Sequence, residues 1–198
     1  MRFEIFKYES VTSTNDTAIS LIKKKNKEVG FVYADKQTKG RGTYGKKWIS
    51  NKGNLFGSIF FPLKENYPPL NEFYVINPII ISNAIEKFCK KKKINFKFPN
   101  DVFLNGKKIC GILQEHIIIN NKKFLIIGIG INIVSDPNIK EKYQSTNIFF
   151  ETKEKPALKE VLDLIISSYE KFFVDLSSYN YKYFKKKADL MAINWKRI

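Results

Sequence analysis

Residues 38–61 read TKGRGTYGKKWISNKGNLFGSIFF, and the fold turns on the residues directly after their first three glycines. Gly40, Gly42 and Gly45 fit G-x-G-x-x-G, the spacing of a dinucleotide site, in which a strand leads through a glycine turn straight into a helix. The same residues nearly fit G-x-x-x-x-G-K-[ST], but Lys47 stands where a magnesium-binding hydroxyl belongs. Both motifs need a helix directly after the turn. Here the continuation, KKWISNKGNLFGSIFF, carries two further glycines among aromatic and β-branched residues and reads as extended chain. Both motifs are therefore coincidences of spacing. The loop keeps the makings of an anion site: accessible backbone N–H groups, flanking lysines and Arg41.

Upstream, FEIFKY at 3–8 alternates as a strand, VTSTNDTAISLIKK carries capping residues and a helical run to about Lys25, and GFVYADKQ is a second strand. Downstream, the extended segment after the loop ends at Pro62. PPLNEFYVINPIIISNAIEKFCKKKK reads as one long helix, proline-led and lysine-ended, with a kink expected at Pro78. Residues 95–134 read as three or four strands with hairpin turns at Asn105–Gly106 and Asn120–Asn121. Residues 132–156 are polar and irregular. PALKEVLDLIISSYEKFFVDL is an amphipathic helix, and the lysine- and tyrosine-rich tail to about Leu190 is another. The fold class expected is α+β: a mixed, largely antiparallel sheet with packed helices, one domain over residues 1–198.

Composition narrows the setting. Hydrophobic residues make up 43% and aromatics 15%, enough for a core. The apolar stretches are too short or too interrupted to span a bilayer, and the N-terminus is not a signal peptide. Cys89 and Cys110 form no disulfide framework, so a reducing cytoplasm is expected. The net charge of +16 is almost all lysine, against a background rich in isoleucine, asparagine and lysine. It suits an anionic partner but argues little for nucleic acid. Arginine is scarce, being present only at positions 2, 41 and 197, which makes a guanidinium inside the glycine loop informative. His116, the sole histidine, sits in an apolar strand and reads as structural.

Three further segments carry candidate chemistry. Ser13, Thr14 and Asn15 put short polar side chains at a helix start, where capping alone also explains them. FPNDVFLNGKKICGILQE places Asn100 and Asp101 after a proline and Lys108 at the mouth of a strand whose Gly111 would let a ligand lie close. GIGINI at 128–133 ends an apolar strand on Asn132, an amide suited to a polar ligand. Taken together, and in this order, these segments resemble the biotin protein ligases (biotin–acetyl-CoA-carboxylase ligases) over nearly the whole chain. GRGTYGKKW is similar to the family's glycine-rich adenylate loop, KFPNDVFLNGKKICGILQE to its KWPND…K…GIL(V/I)E segment, and GIGINI to its GIGxN strand.

The resemblance implies a catalytic fold of the biotin/lipoate ligase (class II synthetase-like) kind. It implies activation of biotin by ATP to biotinoyl-5′-AMP, with Mg2+, and transfer to a lysine of the biotin carboxyl carrier domain of acetyl-CoA carboxylase or a related carboxylase. On it, Ser13, Thr14, Asn15 and Gln37 bind the biotin ring and ureido group, and Gly40, Arg41, Gly42 and Thr43 close over the carboxylate and phosphate. Lys108 contacts both groups and Gly111 borders them. Trp48, Asn100, Asp101 and Asn132, with Arg41 and Lys108, serve the nucleotide; Arg41 and Lys108 are the catalytic pair. No metal ligands are assigned. Thr43 and Phe98 depart from the pattern, which often has a second arginine and a tryptophan there. No helix-turn-helix precedes the first strand, so a repressor role is not expected. The chain stops at Trp195–Ile198, where relatives continue into an SH3-like domain. A monomer or homodimer without membrane or nucleic-acid partners is expected. The rivals are a lipoate ligase or octanoyltransferase of similar fold, the latter needing a cysteine nucleophile, and a basic nucleic-acid-binding module.

Overall fold

The computed structural model describes residues 1–137 and 143–193; Trp195–Ile198 lie outside the described residues. Seven strands form one sheet: β1 (Glu4–Val11), β2 (Gly30–Gln37), β3 (Leu55–Pro62), β4 (Ile94–Lys97), β5 (Asp101–Leu104), β6 (Lys107–Ile119) and β7 (Lys122–Ile131). Their order is β1-β2-β3-β7-β6-β5-β4. Only β1 and β2 run parallel, joined across helix α1 (Thr14–Lys25); every other neighbouring pair is antiparallel. The mixed, largely antiparallel sheet expected from the sequence is the observed one.

Local chemistry explains the elements. Ser13 caps α1 by accepting from the Asp16 N–H, Lys23–Lys25 lie in its last turn, and Asn26 ends it in the left-handed region. The two hairpin turns carry positive φ at both central residues, Asn105–Gly106 and Asn120–Asn121, as tight antiparallel turns require. Helix α2 (Phe73–Ile85) is shorter than the sequence suggests. Turns occupy residues 70–72, a 3-10 segment Glu86–Cys89 comes after it, and Lys90 and Lys91 turn left-handed, so the lysine run lies beyond the helix. Pro78 lies inside α2.

One face of the sheet carries α2, α4 (Leu158–Val174) and the main core; α5 (Tyr181–Met191) packs on α2 and β4. A short helix, α3 (Ile148–Thr152), joins this layer near β6. On the other face α1 packs over β2, β3 and β7 through Ala18, Leu21, Ile22, Val32, Phe60 and Ile126. Residues alternate between faces in a strand. Along β7, Ile127, Ile129 and Ile131 enter the helix-side core, so Gly128 and Gly130 lie on the α1 side. Beyond the end of α1, that glycine face is left as a flat floor.

Candidate functional site

The floor underlies a cavity of about 320 Å³, within the size range of small-molecule sites. Every site residue expected from the sequence lines it except Gly40. Gly40 instead closes the neck of the glycine loop. Its carbonyl accepts from the Trp48 N–H at 2.9 Å, and a Cβ there would fall 2.4 Å from the Trp48 carbonyl oxygen. The loop is a small hairpin, with Arg41 opposite Lys47 and the Gly42 N–H donating to the Lys46 carbonyl at 2.7 Å. Tyr44 and Gly45 have positive φ at its tip, and Tyr44 is 93% exposed.

At one end of the cavity the start of α1 meets β2 and β3. Thr14 donates through both its backbone N–H and its hydroxyl to Gln37 Oε1, at 2.8 and 3.1 Å, and Gln37 Nε2 donates to Ser50 Oγ at 3.0 Å. Ser58 donates to Asn15 Oδ1 at 2.5 Å and lies 2.8 Å from Thr14 Oγ1. Asn15 Nδ2 donates to Leu113 O and Glu115 Oε2 at 3.3 and 2.7 Å. The Asn15 amide nitrogen is thus committed to the protein, and its oxygen accepts one bond, from Ser58. The side chain helps shape the cavity wall, while the second lone pair of its oxygen stays open to a donor.

Trp48 lies across the sheet floor. A Cβ on Gly111 or Gly130 would stand 2.5 or 2.4 Å from its indole, so those glycines exist to seat the ring. Gly111 also lines the cavity, so the glycine and the indole it seats share one wall. Lys108 Nζ sits 5.4 Å from the indole centroid and pairs with buried Asp101 at 2.8 Å. Residues 108 and 111 would face opposite sides of a regular strand. A bulge intervenes: Asp101 pairs with Gly111 and Val102 with Cys110, but Phe103 pairs with Lys108. The extra residue, Ile109, returns Lys108 to the cavity side. Asn100 donates to Ile112 O at 3.2 Å and to Thr43 Oγ1 of the hairpin at 3.4 Å.

Arg41 reaches the site already engaged. Its Nη1 and Nη2 donate to the two oxygens of Glu115, each at 2.7 Å, and Nη2 also donates to Asp16 at 2.7 Å. Hydrogen bonding to Glu115 raises the Arg41 pKa further despite partial burial. Burial acts to raise the Glu115 pKa, but the hydrogen bonds from Arg41 and Asn15 and the arginine charge outweigh it, and the carboxyl is held below its ordinary value. Glu115 closes the GILQE motif, yet sequence reasoning assigns it no role. Its even spacing from Gly111 on β6, which places both on one face, was the available signal.

Buried polar atoms without a protein partner gather here. Among the described residues they include Arg41 Nε, Trp48 Nε1 and Asn132 Oδ1, all on cavity-lining side chains. Asn132 Nδ2 donates to Thr146 O at 3.0 Å, fixing the free oxygen's direction. Such atoms are costly unless a ligand or water answers them. His116 is exposed on β6, neither in the core nor in the cavity. Cys110 is fully buried, and burial pushes its thiol far above the ordinary value; Cys89 is raised to about 12. Neither suits a nucleophile.

Fold and site define a protein with a cavity of small-ligand size, lined by a glycine-rich hairpin, an indole and a lysine. The sequence profile of the Biotin/lipoate A/B protein ligase family matches residues 8–132, and the chain belongs to that family. It is 29% identical over 179 residues to the bifunctional ligase/repressor BirA of Bacillus subtilis, covering 88% of this chain and 55% of that one. It is 25% identical over 157 residues to the biotin–[acetyl-CoA-carboxylase] ligase of Paracoccus denitrificans, covering 76% and 65%. The chain therefore spans about half to two-thirds of the length of these relatives. The biotin protein ligase from Aquifex aeolicus, solved in complex with biotin and ATP, superposes with a TM-score of 0.80 at 29% identity, over 96% of this chain and 78% of that chain.

Proposed function

We propose that this chain is an ATP-dependent biotin–protein ligase. It joins the biotin carboxylate to the α-phosphate of ATP, releasing pyrophosphate, and passes the biotinoyl group to a lysine amine on a carboxyl carrier domain, releasing AMP. The activity is assigned to residues 1–198 as one catalytic domain, acting in the cytoplasm as a monomer or homodimer. The observation that carries the reading is the gathering of the glycine hairpin, Lys108 and the partnerless atoms of Trp48 and Asn132 on one cavity of small-ligand size.

In this reading Ser13, Thr14 and Gln37 face the ureido ring. The hairpin backbone from Arg41 to Thr43 covers the carboxylate, and Lys108 meets the carboxylate and α-phosphate. Trp48 stacks on adenine, and the free Asn132 oxygen accepts from the adenine amino group. A carboxylate is already ionised at neutral pH, so the first step needs no general base. It needs alignment for in-line attack and cations where charge builds. Asp101 holds the Lys108 ammonium in place, while its two further N–H groups stay available to substrate oxygens. In the second step an amine attacks the acyl carbon and AMP departs, and the hairpin shields the anhydride from water until then.

Among the described residues no three or more His, Cys, Asp or Glu side chains form a cluster able to hold a metal ion. Magnesium is proposed to arrive with the triphosphate, as part of the substrate, since this ion is commonly held by substrate phosphates and one or two carboxylates. The deciding experiment supplies a carrier domain with ATP and either biotin or lipoate and reads the mass of the acceptor. A biotin-sized addition that needs ATP is expected; a lipoyl addition or none overturns the reading. Oligonucleotide binding with no biotin binding would instead favour the nucleic-acid alternative.

A further inference from the structure

Glu115 is the carboxylate that joins the two halves of the cavity. One of its oxygens serves Arg41 Nη1. The other serves both Arg41 Nη2 and Asn15 Nδ2, every contact at 2.7 Å. It thereby ties the glycine hairpin to the start of α1, segments that meet only through the fold. Asp16, also on α1, takes a further bond from Arg41 Nη2 at 2.7 Å. One guanidinium thus faces two carboxylates, and the cluster is net negative. An incoming carboxylate or phosphate could win the Nη groups only by stripping Glu115, which would leave a half-buried charge holding a single amide. The bidentate fork is the stronger arrangement.

We infer that Glu115 is a positioning residue for the ligation reaction, and that Arg41 acts through it. The Glu115–Arg41–Asp16 clamp fixes the hairpin over the cavity, while the same carboxylate holds Asn15 against Ser58 and the floor at Gly128. The Arg41 Nη groups therefore do not carry the substrate's negative charge. That work falls to Lys108 and to the hairpin backbone that the clamp holds in place. Among the described residues, the other side-chain tie to the hairpin tip is the long contact from Asn100 to Thr43. This inference rests on the proposed ligase reading.

The test measures biotin-dependent pyrophosphate release and trypsin cleavage in the hairpin, which offers Lys39, Arg41, Lys46 and Lys47. Wild-type protein comes first: if it releases no pyrophosphate with biotin, the ligase reading itself fails. Given an active wild type, Glu115→Gln should lower kcat/KM for biotin about tenfold or more, in line with the cost of misplacing reacting groups. Trypsin should cut its hairpin several-fold faster while cleavage elsewhere is unchanged. Arg41→Lys keeps the charge but loses the fork, and should match Glu115→Gln; the double variant should be no worse than the poorer single. Should Glu115→Gln fail to fold, Arg41→Lys carries the test alone. Wild-type rate and cleavage in Arg41→Lys, or additive losses in the double variant, would overturn the clamp.

Discussion

Lys108 shows how far single residues could be read. Its type and its place beside a turn pointed to anion chemistry, yet strand alternation sets it opposite Gly111. Only the bulge at Ile109, which nothing in KKICG announces, brings it to the cavity. Lys108→Ala is expected to slow pyrophosphate release at least about 10²-fold, the scale seen when a charge-stabilising donor is removed. An unchanged rate would take Lys108 out of the mechanism. Glu115 was less legible, because its importance lies in partners 74 and 100 residues away. Its folded pKa lies below the ordinary 4.5, so its contribution to stability is full above that value and fades as pH falls through the lowered one. Glu115→Gln should cost about 1.5–3 kcal/mol at pH 7, the range for hydrogen bonds to a charged group. In urea unfolding the gap to wild type should narrow in acid; an equal gap at pH 7 and near pH 3 would contradict the assignment.

At the scale of elements, patterns that depend on neighbours in the chain were the legible ones. The turns at Asn105–Gly106 and Asn120–Asn121, the capped α1 and the glycine–isoleucine alternation of GIGINI all fold as read. The cover over the glycines was not legible, since Trp48 reaches them only through the hairpin return. The α2 segment was overextended because its lysines resemble a helix end, whereas the chain leaves the helix before them. The floor makes a distinct prediction. Gly130→Ala drives a methyl group into the Trp48 indole and should destabilise the protein by about 1–3 kcal/mol, the usual cost of overpacking. It should also weaken ATP binding more than biotin binding, because the proposed reading seats adenine on the indole. Separate titrations check this; equal losses for both ligands would mean the floor has no such division.

For the whole molecule, the fold class came from the succession of strands, hairpin turns and helices, once the lack of a helix after the glycine loop had set aside the two nucleotide motifs. Strand order was not legible in the same way, since β3 pairs with β7 across about a third of the chain. The charge of +16 becomes meaningful only with a partner in view. If the acceptor is an acidic carrier domain, its association rate should fall as salt rises. Stopped-flow association between about 50 and 300 mM salt would show this, since the screening length shrinks over that range, and a flat profile would make the charge incidental. The account stands most directly on a crystal structure with biotin and ATP bound. The ureido ring should lie at Ser13, Thr14 and Gln37, the acid group beneath the hairpin beside Lys108, and adenine on Trp48. Biotin lodged anywhere else, or a cavity that takes up neither ligand, would contradict it.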